Sequence, residues 1–284
     1  MITLRSLNEV SLVDFVNLVN EIFSDYALPV RWDVLNFRLD ARENSLSMKE
    51  SYVFYESERP VGFVVTGLRK SRGRIDAMGV IKEKRGTGLA QMILRHALER
   101  LKWHGVEKVI LEVASNDPRA MRFYEKNGFR VIRNLYTLAI RSEDFTGAEE
   151  ARFFKTDPRW IHRSAIEAEM ILGRKPNWQR EALTLLLSNG RYRLERIVLR
   201  KREGYVVWGT TRDSAFIVDL SPLDDLGVYP DMLRSSVEKI FDESGRKIIT
   251  ITAVPEDDPL YEATLDSNFK AVFEQKEMCF RLPA

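Results

Sequence analysis

The residues best suited to chemistry lie in one stretch, Val80-Ile81-Lys82-Glu83-Lys84-Arg85-Gly86-Thr87-Gly88-Leu89-Ala90-Gln91, which reads as a strand running through glycines into a helix. Its geometry suits a diphosphate. Gly86 and Gly88 let the backbone approach a ligand with no Cβ in the way, and their N–H groups can turn inward. A helix starting near Leu89 adds the positive end of its dipole, and Lys82, Lys84 and Arg85 offer cations to phosphate oxygens. The G-x-x-x-x-G-K-[ST] of a nucleoside-triphosphate loop is missing, as are the third glycine and downstream acid of a dinucleotide-binding turn.

The elements that must position this loop belong to a chain of 284 residues, room for roughly two domains at about 150 residues each. With 44% hydrophobic, 10% aromatic and 30% charged residues, the composition is globular and excludes wholesale disorder. Lys and Arg number 44 against 42 Asp and Glu, for a net charge of +2 with no run of five like charges. That balance argues against a nucleic-acid or membrane-surface partner. The opening Met1-Ile2-Thr3-Leu4-Arg5 lacks a signal-type apolar stretch, and no apolar run nears the roughly 20 residues that cross a bilayer, so a cytoplasmic location is expected. Cys279 is the single cysteine, which forbids an internal disulfide. The scattered His96, His104 and His162 form no zinc spacing, and no metal is expected.

The chain repeats itself. Gly62-Phe63-Val64-Val65-Thr66-Gly67 recurs 142 residues on as Gly204-Tyr205-Val206-Val207-Trp208-Gly209, each an apolar strand bounded by glycine. Asp117-Pro118 returns as Asp258-Pro259, and Asn127-Gly128-Phe129 as Ser267-Asn268-Phe269. Each half reads as an amphipathic region, two or three strands, a helix, a strand, a short helix and a final strand pair, an α+β order. In the first half 52–55, 61–66, 74–80 and 109–114 read as strands, 89–104 and 118–126 as helices, and 129–140 as the closing strands. In the second, 192–200, 205–208, 215–220 and 248–253 read as strands and 231–241 as a helix.

Arg85-Gly86-Thr87-Gly88-Leu89-Ala90 fits [QR]-x-x-G-x-[GA], and Ala120-Met121-Arg122-Phe123-Tyr124-Glu125-Lys126-Asn127-Gly128-Phe129 fits A-x-x-x-Y-x-K-x-G-F. In these two motifs the chain resembles the GNAT superfamily of N-acetyltransferases over residues 1–140; the second half resembles it only through the repeat. The resemblance implies two tandem GNAT-like domains, each a mixed, mostly antiparallel sheet flanked by helices. Residues 1–141 would be the catalytic domain, 142–157 a linker and 158–284 a degenerate copy.

It further implies acetyl-CoA as donor, one per chain. The N–H groups from Arg85, Gly86, Thr87, Gly88, Leu89 and Ala90 would hold the pyrophosphate, and Met78, Gly79 and Val80 would pair with the pantetheine arm. From the second motif Ala120, Phe123, Tyr124 and Lys126 would contact the cofactor. Where the family often has an asparagine three residues before the motif alanine, this chain has Asp117, with Asn116 beside it as a substitute if Asp117 only caps the helix. Tyr124 falls where the family places a general acid, and a phenol of pKa about 10 stays protonated at neutral pH; its bland alternative is a tyrosine packing a short helix. An alkylamine acceptor must lose a proton, for which Asp76 and Glu112 are the nearest carboxylates, with strand ion pairing as their ordinary role. Phe23, Tyr26 and Trp32 lie where the family binds its acceptor, or are simply core.

In the second half the corresponding loop reads Asp219-Leu220-Ser221-Pro222-Leu223-Asp224-Asp225-Leu226-Gly227-Val228-Tyr229-Pro230. Its prolines lack N–H donors and its acids repel phosphate, so no second CoA site is expected. The expected activity is N-acetylation of a primary amine, a small molecule first and a protein or peptide amine second, by direct attack without an acyl-enzyme. Transfer of a longer acyl group, or a CoA-binding sensor or scaffold without chemistry, are the alternatives. The sequence leaves the oligomeric state open; a monomer is compatible with a repeat that supplies an internal partner.

Overall fold

The computed structural model describes residues 1–24 and 31–283, and the chain in it passes through one succession of elements twice. The first pass is β1 (Ile2–Ser6), α1 (Leu12–Phe23), α2 (Val34–Glu43), β2 (Tyr52–Glu56), β3 (Arg59–Arg69), β4 (Arg72–Val80), α3 (Leu89–Trp103), β5 (Lys108–Ala114), α4 (Pro118–Lys126) and β6 (Arg130–Arg141). The second is β7 (Arg152–Lys155), α5 (Pro158–Leu172), α6 (Ala182–Leu187), β8 (Arg193–Leu199), β9 (Arg202–Thr210), β10 (Ala215–Pro222), α7 (Tyr229–Ser244), β11 (Ile248–Pro255), α8 (Pro259–Asp266) and β12 (Lys270–Arg281). A 3-10 turn falls at the same place in each, Lys82–Lys84 before α3 and Leu226–Val228 before α7.

The sequence landmarks of the repeat have physical causes. A Cβ on Gly62 would come within 2.9 Å of the Gly79 carbonyl oxygen and 2.7 Å of Ile93 on α3; one on Gly204 would come within 2.7 Å of the Ser221 carbonyl and 2.6 Å of Met232 on α7. In both copies only glycine lets the strand lie this close to its neighbour and to the covering helix. Asp117 and Asp258 accept from the backbone N–H of Ala120 and Leu260, both at 2.9 Å, with proline at the first helical position behind them. Gly128 and Asn268 hold φ of +90° and +63°, and the N–H of Phe129 and Phe269 turns back to the carbonyl of Tyr124 and Thr264.

Two compact units result: 1–113 with 117–132 and 277–283, and 114–116 with 133–276. This differs from the expected division at 142–157. The boundary falls inside β6, residues 277–283 return to the first unit, and the expected linker contains β7. Strand partners rather than chain neighbours decide the assignment. From Leu135 to Arg141, β6 pairs antiparallel with β11, while Met278 of β12 belongs to the first unit's core. The closing pair expected over 129–140 is accordingly one strand.

In the first unit β1, β2, β3, β4 and β5 lie side by side, antiparallel except for the parallel β4–β5 pair. Its core gathers Phe15, Val19 and Ile22 of α1, Phe63, Val64 and Val65 of β3, and Ile93, Leu94, Ala97 and Leu101 of α3. Each such large side chain contributes roughly 1.5–3 kcal/mol by leaving water. At the far end of α3, Glu50 is buried against Arg100 (2.8 Å) and His104 (2.8 Å).

In the second unit the order is β6, β11, β10, β9, β8, β7, again with one parallel pair, β10–β11. Alternate residues of β9 face opposite helices, Val206 and Trp208 sharing a cluster with Met232 and Leu233 of α7, and Tyr205 and Val207 one with Ile161 of α5 and Leu185 of α6. Among the described residues no helix is long and apolar enough to cross a membrane.

Candidate active site

The site grows from a divergence of strands. β4 and β5 pair only from Arg72↔Lys108 to Arg74↔Ile110, yet β4 continues to Val80 and β5 to Ala114. Beyond Arg74 the facing edges of the two strands are thus open to another extended group, which could hydrogen-bond as a strand would. A bulge sharpens the turn. Val65 pairs with Ala77 and Thr66 with Ile75, so Asp76 is passed over by β3.

At this point three charged side chains meet. The Arg74 guanidinium, 4% exposed, lies 3.3 Å from the Asp76 carboxylate and 3.4 Å from that of Glu112 on β5. Burial raises the pKa of Asp76 above the usual carboxylate value; Arg74 opposes that rise, and Asp40 of α2 adds to it. Arg74 was missed in the sequence, although Arg74-Ile75-Asp76 put two opposite charges two residues apart on the strand that feeds the loop.

The glycine turn follows as expected. Gly86 and Gly88 hold φ of +80° and +89°, and a Cβ on either would meet nothing within 4 Å. Backbone conformation, not crowding, is what requires glycine here, and the space it leaves is free for a ligand. Gly88 is the N-cap of α3 and supplies no side-chain cap, so the first-turn N–H groups of Leu89, Ala90 and Gln91 receive no bond from a cap side chain. Thr87 donates its hydroxyl to the Lys84 carbonyl at 2.8 Å, bracing the turn. The cations are less free than the sequence implied. Arg85 donates to the Ile22 carbonyl at 3.3 Å, tying the loop to the end of α1, and Lys84 pairs with Glu56 at 2.6 Å. Gly79 has a packing role, since a Cβ there would press within 2.6 Å of Ile22 on α1; its neighbours Met78 and Val80 lie on the same strand, paired to Val64 and Gly62.

Tyr124 is half-buried on α4, edge-on to Phe123 at 5.1 Å and Phe129 at 5.7 Å. Ala120 and Phe123 pack on the first unit's core, and Lys126 is exposed. Asp117 is occupied as the cap of α4, and Asn116 beside it is exposed. Phe23 sits edge-on to Phe63 at 5.8 Å and would lie 3.7 Å from a Cβ on Gly79, beside the strand that feeds the loop. Trp32 stacks on Phe37 at 5.3 Å and bonds both its backbone N–H and its C=O to the Asn20 amide. Tyr26 lies outside the described residues.

In the second unit the same strands diverge past Ile217↔Ile251, with the same bulge, now at Val218. Here Thr264 stands where the first unit has Tyr124. Asp219, read from sequence as repelling phosphate, is instead buried and bidentate to Arg174 at 2.8 and 2.9 Å. Asp224 and Asp225 pair with Arg202 at 3.0 and 3.4 Å. Salt bridges satisfy these acids, so their charge by itself does not make the loop repel phosphate.

The fold of both units and the glycine turn of the first are those of GNAT acetyltransferase structures. Residues 13–129 match the Acetyltransferase (GNAT) family. It is similar, at 29% identity over 99 residues, to N-alpha-acetyltransferase 30 of Schizosaccharomyces pombe, the alignment covering 33% of this chain and 66% of that protein. Over its whole length the fold is like that of a GCN5-related N-acetyltransferase from Sphaerobacter thermophilus, with 14% identity, 99% of this chain and 95% of that one covered, and a TM-score of 0.68. It is also like that of a tandem GNAT protein from the clavulanic acid biosynthesis pathway, with 12% identity, 100% and 99% covered, and a TM-score of 0.70.

Proposed function

We propose that the chain transfers an acetyl group from acetyl-CoA to a primary amine, with a single cofactor site in the first unit. The observation that carries this reading is the opening between β4 and β5, which runs straight into a positive-φ glycine turn and the uncapped start of α3. The open edge of Asp76–Val80 would hold the amide-bearing arm, and the N–H groups from Gly86 to Ala90 the diphosphate. Bound there, acetyl-CoA supplies a thioester carbonyl that an amine can attack directly. Tyr124 would donate the phenolic proton to the departing thiolate. Asp76 or Glu112 would take the proton that the ammonium must lose, and the raised pKa of Asp76 brings it closer to that task than an ordinary carboxylate.

A cationic acceptor suits this opening, because Asp76, Glu112 and the nearby Asp40 outnumber Arg74. A small-molecule amine is the first reading. A peptide α-amine is the second, favoured by the name of the Schizosaccharomyces pombe relative. The test is CoA thiol release from acetyl-CoA against small amines and peptides with free N-termini, with longer acyl donors in parallel. Release with one acceptor class assigns the substrate. Tight acetyl-CoA binding with no release for any amine would make the protein a CoA-binding sensor and end the enzymatic reading.

A further inference from the structure

The second unit fills its own cleft. Between α5 and α6 the chain from Gly173 to Glu181 turns inward, and Arg174, Asn177, Trp178 and Arg180 are all buried. Arg180 sends one terminal nitrogen to the carbonyl of Val218 on β10 and the other to the carbonyl of Thr252 on β11. These are the first residues past the last registered β10–β11 pair, and Val218 is the bulge residue, the counterpart of Asp76. Arg174 anchors the segment. Its guanidinium bonds Asp219 at 2.8 and 2.9 Å and Tyr205 at 2.8 Å, and reaches Asp258, the cap of α8, at 3.3 Å. Asp258 also accepts from the Lys175 backbone N–H at 2.9 Å. The end of α7 is sealed as well, since Tyr229, in its first turn, is buried and donates its hydroxyl to the Leu220 carbonyl at 2.5 Å.

We infer that segment 174–180 is a built-in plug: the Arg180 guanidinium occupies, in the second repeat, the strand opening that the first repeat leaves for acetyl-CoA. The inference rests on the proposed function for what the first opening holds, but the plug itself rests on contacts within the second unit. The plug makes the second repeat a closed, permanently self-occupied copy. It supplies planar donors to carbonyls that strand divergence would otherwise leave without partners in a water-poor interior. Loss of CoA binding there is therefore a consequence of what the chain put in, not only of the donors its loop lost.

Two measurements test it independently. Arg180→Ala removes the guanidinium and leaves a cavity of its shape lined by the Val218 and Thr252 carbonyls, so its melting temperature should fall and recover with low-millimolar methylguanidinium. Methylammonium should not restore it, and wild type should gain nothing from either. Equal responses of variant and wild type to methylguanidinium would overturn the plug. The second measurement is acetyl-CoA stoichiometry by native mass spectrometry, expected to be one for wild type and zero for Gly88→Glu. A wild-type chain that carries two acetyl-CoA, one of which survives Gly88→Glu, would place cofactor in the second unit and overturn the plug. If wild type itself carried none, the proposed function would fail while the methylguanidinium result still decided the plug. Should Arg180→Ala not fold, Arg180→Ser, which leaves the same cavity beside a small polar side chain, takes its place with the same expected rescue.

Discussion

Gly88→Glu separates the cofactor site from the fold. Gly88 sits at φ +89° with nothing within 4 Å of a built Cβ, so a side chain can start there without a clash and the main loss to folding is the conformational cost, about 1–2 kcal/mol for a non-glycine residue in the left-handed region. Binding should lose far more. A carboxylate about 5 Å from one phosphate charge costs roughly 0.8 kcal/mol at the dielectric of water and roughly 3.3 kcal/mol at an effective value of about 20. Against a diphosphate carrying two charges the sum is about 1.6–6.6 kcal/mol, a weakening from about tenfold to above about 10⁴-fold. Gly88→Ala supplies the control, since it has the same backbone cost without the charge. Titration calorimetry with acetyl-CoA beside thermal denaturation reads both quantities. The reasoning is refuted if Gly88→Glu binds acetyl-CoA like Gly88→Ala, for then no anion lies against this turn.

Tyr124→Phe should keep acetyl-CoA affinity and lower kcat by about 10²- to 10⁴-fold, the usual range for one positioned acid; unchanged turnover would remove Tyr124 from the chemistry. If Asp76 is the base, kcat/KM should rise with pH through a pKa above the ordinary aspartate value, and Asp76→Asn should abolish that limb in a pH–rate profile, whereas a limb that survives would point to Glu112. Glu169 of α5 has its pKa pushed up to about 7 by burial and then by the charge of Asp219, against Arg174. The folded state therefore holds a proton there that the unfolded chain releases, and stability from this group, full below pH about 4.5, is lost as pH rises toward 7. Glu169→Gln should thus match wild type in urea melts near pH 4.5 and be more stable near pH 8, by about 1–2 kcal/mol after allowing for partial solvent exposure. Glu50 goes the other way. Burial raises its pKa, but bonds from Arg100 and then His104 outweigh this and hold it at about 2, so its contribution should be lost as pH falls from about 4.5 toward 2, and Glu50→Gln should flatten that part of an acid-denaturation curve.

Local chemistry was legible in the sequence because its signals are local. Gly86 and Gly88 are fixed by the backbone angles of a turn, Asp117-Pro118 and Asp258-Pro259 by the first turn of a helix, and Gly62 and Gly204 by the width of the gap between neighbouring strands. Each demand falls on one residue or a few consecutive ones, so it survives in a linear string and recurs when the unit is repeated. The helices α3, α4 and α7 and the strands that flank the glycine turn were readable for the same reason.

What only the tertiary structure decided is pairing at a distance. Nothing in the run from Arg130 to Arg141 says that most of it pairs with β11, or that residues 277–283 return to the first unit, because strand partners are chosen by the whole sheet. The carboxylates Asp76 and Glu112 could be named from sequence, but Arg74 joining them could not, since the contact crosses from β4 to β5. Asp219 is the sharpest case. As a letter it is an acid where phosphate would sit; folded, it is the buried partner of Arg174, 45 residues earlier in the chain, and part of the network that holds the second cleft shut. A charge in a sequence carries its sign, but only its three-dimensional neighbours decide whether that sign is spent on a ligand or on the chain itself.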